Sequence, residues 1–239
     1  MSLILSRALA ETAEQTVQEV QAEPSWFQNA FKKLAELPVW GWIIVLVLFL
    51  GAVFILSSTR HKKQKWTTQM LCVGAMCIAL STVLSRIRLF TMPSGGSITP
   101  ASMLPLMLFA YVYGTAPGLL LGAVFGLLDY AFGGWFLNIP QFLLDYPIAF
   151  GMLGLAGLTR GMRNDRVGFP LGTFVGSAGR YLAAVLAGVA FWSDGRTGLE
   201  AWLYSLGYNG TYMSVECILC VVIAVLIGSR ILQAMRKVR

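Results

Sequence analysis

The stretch Phe142–Gly151, FLLDYPIAFG, holds Asp145 inside an apolar run, and its tetrapeptide LLDY also occurs at Leu127–Tyr130, with Asp129. Arg180 and Glu216 are likewise enclosed by apolar residues. An ionisable group in hydrocarbon is costly unless it is paired or faces a cavity, so each of the four is a functional candidate. Other chemistry is excluded. The single histidine, His61, falls in the basic run RHKKQK, so a multi-histidine metal site is impossible. Cys72, Cys77, Cys217 and Cys220 all lie in apolar segments and read as small buried thiols, even where Cys217 and Cys220 form a C-x-x-C. A phosphate-binding loop would end in Gly-Lys-Ser/Thr, and none occurs, so any nucleotide hydrolysis must come from a partner. No metal or cofactor is expected.

The composition says what surrounds these residues. Of 239 residues, 56% are hydrophobic and only 12% charged, against about 25% charged in soluble domains. Long apolar runs with so few charges indicate an all-α integral membrane protein. The net charge of +7 then reports the loop charges that set orientation, and no basic surface interleaved with aromatics points to nucleic acid.

Seven spans are expected: Trp40–Ser57, Thr67–Ser85, about Ser97–Gly114, Thr115–Phe132, Pro140–Thr159, Phe169–Trp192, and Trp202 to about Leu232. Residues 1–38 form a polar arm, residues 39–66 an extra transmembrane helix with a basic loop, and residues 67–239 a six-helix block. If the RHKKQK loop is inside, inside segments collect Arg60, Lys62, Lys63, Lys65, Arg160, Arg163, Arg166, Arg230, Arg236, Lys237 and Arg239. Outside segments collect Arg7, Lys32, Lys33, Arg86, Arg88 and Arg196. This bias expects an outside N-terminus and a cytoplasmic C-terminus, in the plasma membrane.

Helical rise places Asp145 about 8 Å and Asn209 about 10 Å below the outer ends of their helices. Gly188 and Trp192 occupy the last outer turns of theirs, and Tyr204 opens the final helix. One carboxylate, the aromatics Tyr146, Trp192 and Tyr204, and the Asn209 amide suit a flat, cationic, nitrogen-rich ring. Ala184, Ala187 and Gly188 would let a ring approach the backbone. Outer Tyr and Trp also form interfacial belts, and Gly and Ala also pack helices; the shared depth around Asp145 is what joins these residues into one outward-facing site. Asp129 reads as an interfacial carboxylate. Arg180 and Glu216 lie deeper, at about 18 and 21 Å, and are expected to pair with each other.

Four stretches, MPSGGSIT (Met92–Thr99), FLLDYPIAFG, GSAGRYLAAVLAGVAFW (Gly176–Trp192) and WLYSLGYNGTYM (Trp202–Met213), carry a resemblance. The block from about Thr67 to Lys237 resembles the thiamine-specific S component of energy-coupling factor (ECF) vitamin transporters. The resemblance implies a prokaryotic membrane receptor for thiamine, working with a coupling transmembrane subunit and two ABC-type ATPase subunits. It implies ligand contacts from Asp145, Tyr146, Gly188, Trp192, Tyr204 and Asn209, with Ala184 and Ser97 also ligand-facing. It places Ala75 and Ala79 against the coupling subunit, where small residues permit close helix approach. Two departures stand out: Ala184 occupies a position where the family usually has a ligand-stacking histidine, and Gly96 one where some relatives have tryptophan. An S component for another vitamin or a thiamine precursor is the nearest alternative. A membrane scaffold without a ligand is another. The paired LLDY aspartates also invite comparison with an intramembrane aspartyl protease, whose engine is two carboxylates sharing a proton, but its Gly-x-Gly-Asp motif is absent.

Overall fold

The computed structural model describes residues 66–93 and 95–238. The arm at 1–38 and the expected helix Trp40–Ser57 lie outside the described residues. Six helical segments follow one another: α1 (Thr68–Arg86), α2 (Leu104–Tyr113), α3 (Thr115–Ala131), α4 (Ile139–Gly161), α5 (Asp165–Phe191) and α6 (Gly198–Val238). Between α1 and α2, Phe90–Thr91 (β1) and Ser97–Ile98 (β2) pair antiparallel, Phe90 opposite Ile98. α1, α4, α5 and Gly198–Leu226 of α6 are long and apolar enough to cross a membrane. Apart from that short strand pair, the described residues have the build of a helical membrane protein.

α2 departs from the expected span of about 97–114. It has ten residues, or about 15 Å, half of a hydrocarbon core about 30 Å thick. Nine of its residues, Pro105–Tyr113, are buried. A helix apolar on every side belongs at the centre of a bundle, and α2 is that centre. The residues before it are not helical: Ala101 adopts φ 60°, and Thr99 and Ser102 turn their hydroxyls to the Glu216 carboxylate on α6. Irregular backbone inside a membrane protein persists only where its polar groups are satisfied: here the Ala101 N–H donates to Thr99 O at 2.8 Å and the Leu104 N–H to Ala101 O at 3.0 Å, while Glu216, 2% exposed, takes the two hydroxyls.

Glycines set the helix spacing. Gly118, Gly122 and Gly126 recur every four residues on α3 and lie against the backbone of α4. An added Cβ would sit 2.2 Å from Phe150 O at Gly122 and 2.4 Å from Tyr146 O at Gly126. From the other side, a Cβ on Gly154 would meet Leu119 N at 2.2 Å. With no side chain between them the two helices touch main chain to main chain, which fixes the height of Asp145 and Tyr146. α5 repeats the device: a Cβ on Gly172 would meet Ala156 O at 2.6 Å, and one on Gly176 Leu153 O at 2.9 Å.

α4 is not a uniform helix. Leu144–Ile148, LDYPI, forms one π turn, and Met152–Gly161 winds as a 3-10 helix. Pro147 supplies the reason for the first. Its ring would clash with the carbonyl four residues back, and it has no N–H to donate. The wider turn lets the Ala149 N–H bond Leu144 O instead. Such turns are frequent at functional sites, and this one contains Asp145 and Tyr146.

Candidate functional site

Asp145 accepts two hydrogen bonds, both on Oδ2. Gln141 Nε2 donates at 2.6 Å from the preceding turn of α4, and Trp192 Nε1 donates at 3.0 Å from the end of α5. Both donors are neutral. The other LLDY aspartate has the opposite fate: Asp129 Oδ1 pairs with Arg86 at 3.1 Å, and Arg86 also donates to Phe132 O and lies over the Phe132 ring. One motif thus yields a carboxylate neutralised by a cation at the mouth of α1 and α3, and a half-buried carboxylate with no cationic partner among the described residues. The two aspartates have separate partners and no hydrogen bond to each other among the described residues, unlike the proton-sharing pair of an aspartyl protease.

The α5–α6 seam brings the next residues together. Gly188 leaves room for α6: a Cβ there would lie 2.1 Å from Ser205 Oγ and 3.2 Å from Asn209 Nδ2. Ser205 donates to Val185 O at 2.8 Å. Asn209 Nδ2 donates to Ser205 O at 3.0 Å and to Ala184 O at 3.4 Å, while Asn209 Oδ1 accepts from Tyr212 at 2.9 Å. Asn209 is therefore a clamp across the seam as well as a site candidate. Trp192, one turn beyond Gly188, connects this seam to Asp145.

The remaining predicted residues lie around this group. The Tyr146 hydroxyl accepts from the Trp135 N–H at 2.7 Å, and its ring packs edge-on against Tyr130, centroids 5.3 Å apart. Tyr146 thus belongs to an aromatic cluster under the α3–α4 loop, beside Asp145 in sequence but turned to other partners. Tyr204 is stacked on Tyr208 and covered by the Arg196 guanidinium, 4.1 Å from its centroid. Ala184 is half-buried, one turn before Gly188. Ser97 is half-buried in β2, next to Gly96, whose N–H donates to the Tyr208 hydroxyl at 3.4 Å. Side-chain bulk at Gly96 would collide with the Tyr212 ring, since a Cβ there meets it at 2.7 Å. Ala75 and Ala79 are exposed on α1, opposite the face that buries Met70, Gly74, Cys77 and Ser81.

One expected contact is corrected. Arg180 and Glu216 do not pair. The Arg180 guanidinium lies 4.1 Å from the centroid of the Phe150 ring, facing α4, where a cation is held by the ring face. Glu216 faces the turn before α2 instead. Sequence reasoning also missed Gln141 and Ser205, 0% and 1% exposed. Each stands four residues before a predicted polar residue, Asp145 and Asn209, and so on the same helical face; that spacing was the available signal.

The thiamine transporter protein (Thia_YuaJ) family model matches residues 71–236. The thiamine transporter ThiT of Bacillus subtilis is 36% identical over 149 residues, 57% of this chain and 77% of the relative. ThiT of Lacticaseibacillus paracasei is 33% identical over 136 residues, 51% of this chain and 68% of the relative. A solved structure of ThiT from Listeria monocytogenes superimposes with a TM-score of 0.56 at 25% identity, covering 71% of this chain and 96% of that one. The chain belongs to the thiamine transporter protein family.

Proposed function

We propose that this chain captures thiamine as the membrane-embedded S component of an ECF-type ABC importer. The observation that carries the reading is Asp145, a half-buried carboxylate held by two neutral donors and without a cationic partner among the described residues. A charge kept in that state favours a cationic ligand, and thiamine carries both a cationic ring and an amino-substituted ring. Asp145 Oδ1 meets the ligand. Trp192 and Tyr204 offer ring faces, Gly188 and Ala184 give a ring access to α5, and Tyr146, Asn209 and Ser97 complete the surround. Names of the relatives, all thiamine transporters, support the same ligand.

In this reading the site opens outside, with the N-terminus outside and the C-terminus in the cytoplasm of a prokaryote. Residues 1–38 form the outer arm, residues 39–66 carry the added helix, and residues 67–239 form the binding unit. Ala75 and Ala79 face a coupling transmembrane subunit, and two ABC-type ATPases supply the energy. Titrating the purified chain with thiamine while following tryptophan fluorescence tests the ligand: a saturable quench from Trp192 is expected, and an unchanged signal with no thiamine copurifying would refute it. A thiamine precursor or another vitamin is the second reading, favoured by Ala184, which offers no ring where the family usually has a histidine.

A further inference from the structure

Gln141 is 0% exposed and stands at the start of α4, four residues before Asp145. Besides its bond to Asp145 Oδ2, its Nε2 reaches Trp135 O at 3.4 Å, and its Oε1 accepts from the Leu137 N–H at 3.0 Å. Its own N–H is capped by Asn138 Oδ1 at 2.9 Å. One buried amide therefore joins the backbone of the α3–α4 loop to the carboxylate. The same loop also donates to Tyr146, through the Trp135 N–H. Its side chains are apolar and exposed, Trp135 at 71%, Phe136 at 55% and Leu137 at 52%, as in an anchor at a membrane interface.

We propose that Gln141 is a positioning residue that ties Asp145 to the Trp135–Asn138 loop and presents Oδ1 to the ligand. The terminal torsion of an aspartate is broad and nearly two-fold, so its two oxygens exchange readily unless something distinguishes them. Gln141 and Trp192 distinguish them by both donating to Oδ2. Gln141 does so as a neutral amide, which orients the carboxylate without cancelling its charge. An Arg in its place would do to Asp145 what Arg86 does to Asp129. The loop and the carboxylate then share one hydrogen-bond set, so a change in one is felt by the other.

This inference rests on Asp145 as the ligand carboxylate, and the test separates the two. The full chain in detergent is titrated with thiamine as wild type, Gln141→Met, Asp145→Asn and the double variant. Gln141→Met is expected to weaken thiamine about tenfold, as removal of a bond to a charged group does. The double variant is expected to bind no more weakly than Asp145→Asn, because Gln141 acts through that carboxylate. Losses that simply add, or wild-type affinity in Gln141→Met beside a weakened Asp145→Asn, overturn the inference alone. Wild-type affinity in Asp145→Asn overturns the reading beneath it as well. A second readout does not depend on the folded fraction: the ratio of affinities for thiamine and for an analogue with an uncharged ring replacing the thiazolium. That ratio should fall in Gln141→Met, and an unchanged ratio would make Gln141 merely structural.

Discussion

Trp192 Nε1 donates to Asp145 Oδ2 at 3.0 Å, joining the C-terminal end of α5 to the π turn of α4. The contact commits an indole N–H to a carboxylate that no guanidinium or ammonium neutralises among the described residues. Because the N–H lies in the ring plane, the bond turns the edge of Trp192 to the carboxylate and does not use the ring faces, which are the surfaces that attract a cation.

Asp145→Asn should keep this frame, because one amide oxygen can accept from both Gln141 and Trp192. The NH2 group then takes the place of Oδ1 and offers a donor where the ligand met an acceptor and a charge. Thiamine affinity is expected to fall by about 1.5–3 kcal/mol, read by fluorescence titration. Asp129→Asn serves as the control, and its affinity should stay within about twofold of wild type, since Asp129 is engaged with Arg86 and changes at exposed pairs are worth roughly 0–1 kcal/mol.

Gly188→Val should open the α5–α6 seam. Its Cβ would overlap Ser205 Oγ at 2.1 Å and crowd Asn209, and overpacking of this kind costs about 1–3 kcal/mol. A lower midpoint of thermal unfolding in detergent and a loss of thiamine binding are expected together. Unchanged values for both would show that the seam accommodates side chains.

Ala184→His tests the departure from the family pattern. A ring at this position, one turn before Gly188, gives the ligand a further stacking surface, and thiamine should bind tighter by about 1 kcal/mol. Calorimetric titration reads the change. A large loss instead would show that the ligand lies differently here.

Ala75→Trp and Ala79→Trp should leave thiamine binding intact and abolish uptake in cells. Both residues are exposed on α1, away from Asp145, and bulk there blocks close approach of a partner helix. Normal uptake by both variants would move the coupling surface elsewhere.

Span positions were legible because length and apolarity are local properties. Thr67–Ser85 became Thr68–Arg86, and Thr115–Phe132 became Thr115–Ala131, since Arg86 and Arg88 close the first helix and glycines at positive φ, Gly114 and Gly133, bracket the second. Asp145 was also legible, since a lone carboxylate in an apolar run needs a reason to be there. Its repeat at Asp129 was equally visible, and position along the helix assigned Asp129 to the interface and Asp145 to the site, but the partners of neither were legible. Only the folded bundle gives Asp129 to Arg86 and Asp145 to Gln141 and Trp192.

The same holds for the irregular backbone at 99–103, the Arg180 contact with Phe150, and the Asn209 clamp. Each depends on which helix faces which, and at what distance. Those relations come from glycines that bring α3, α4 and α5 into main-chain contact and let Ser205 and Asn209 of α6 seat against α5 at Gly188. A run of apolar residues specifies that a helix will be buried in the membrane; the identity of its neighbour is settled by close packing between segments far apart in the chain.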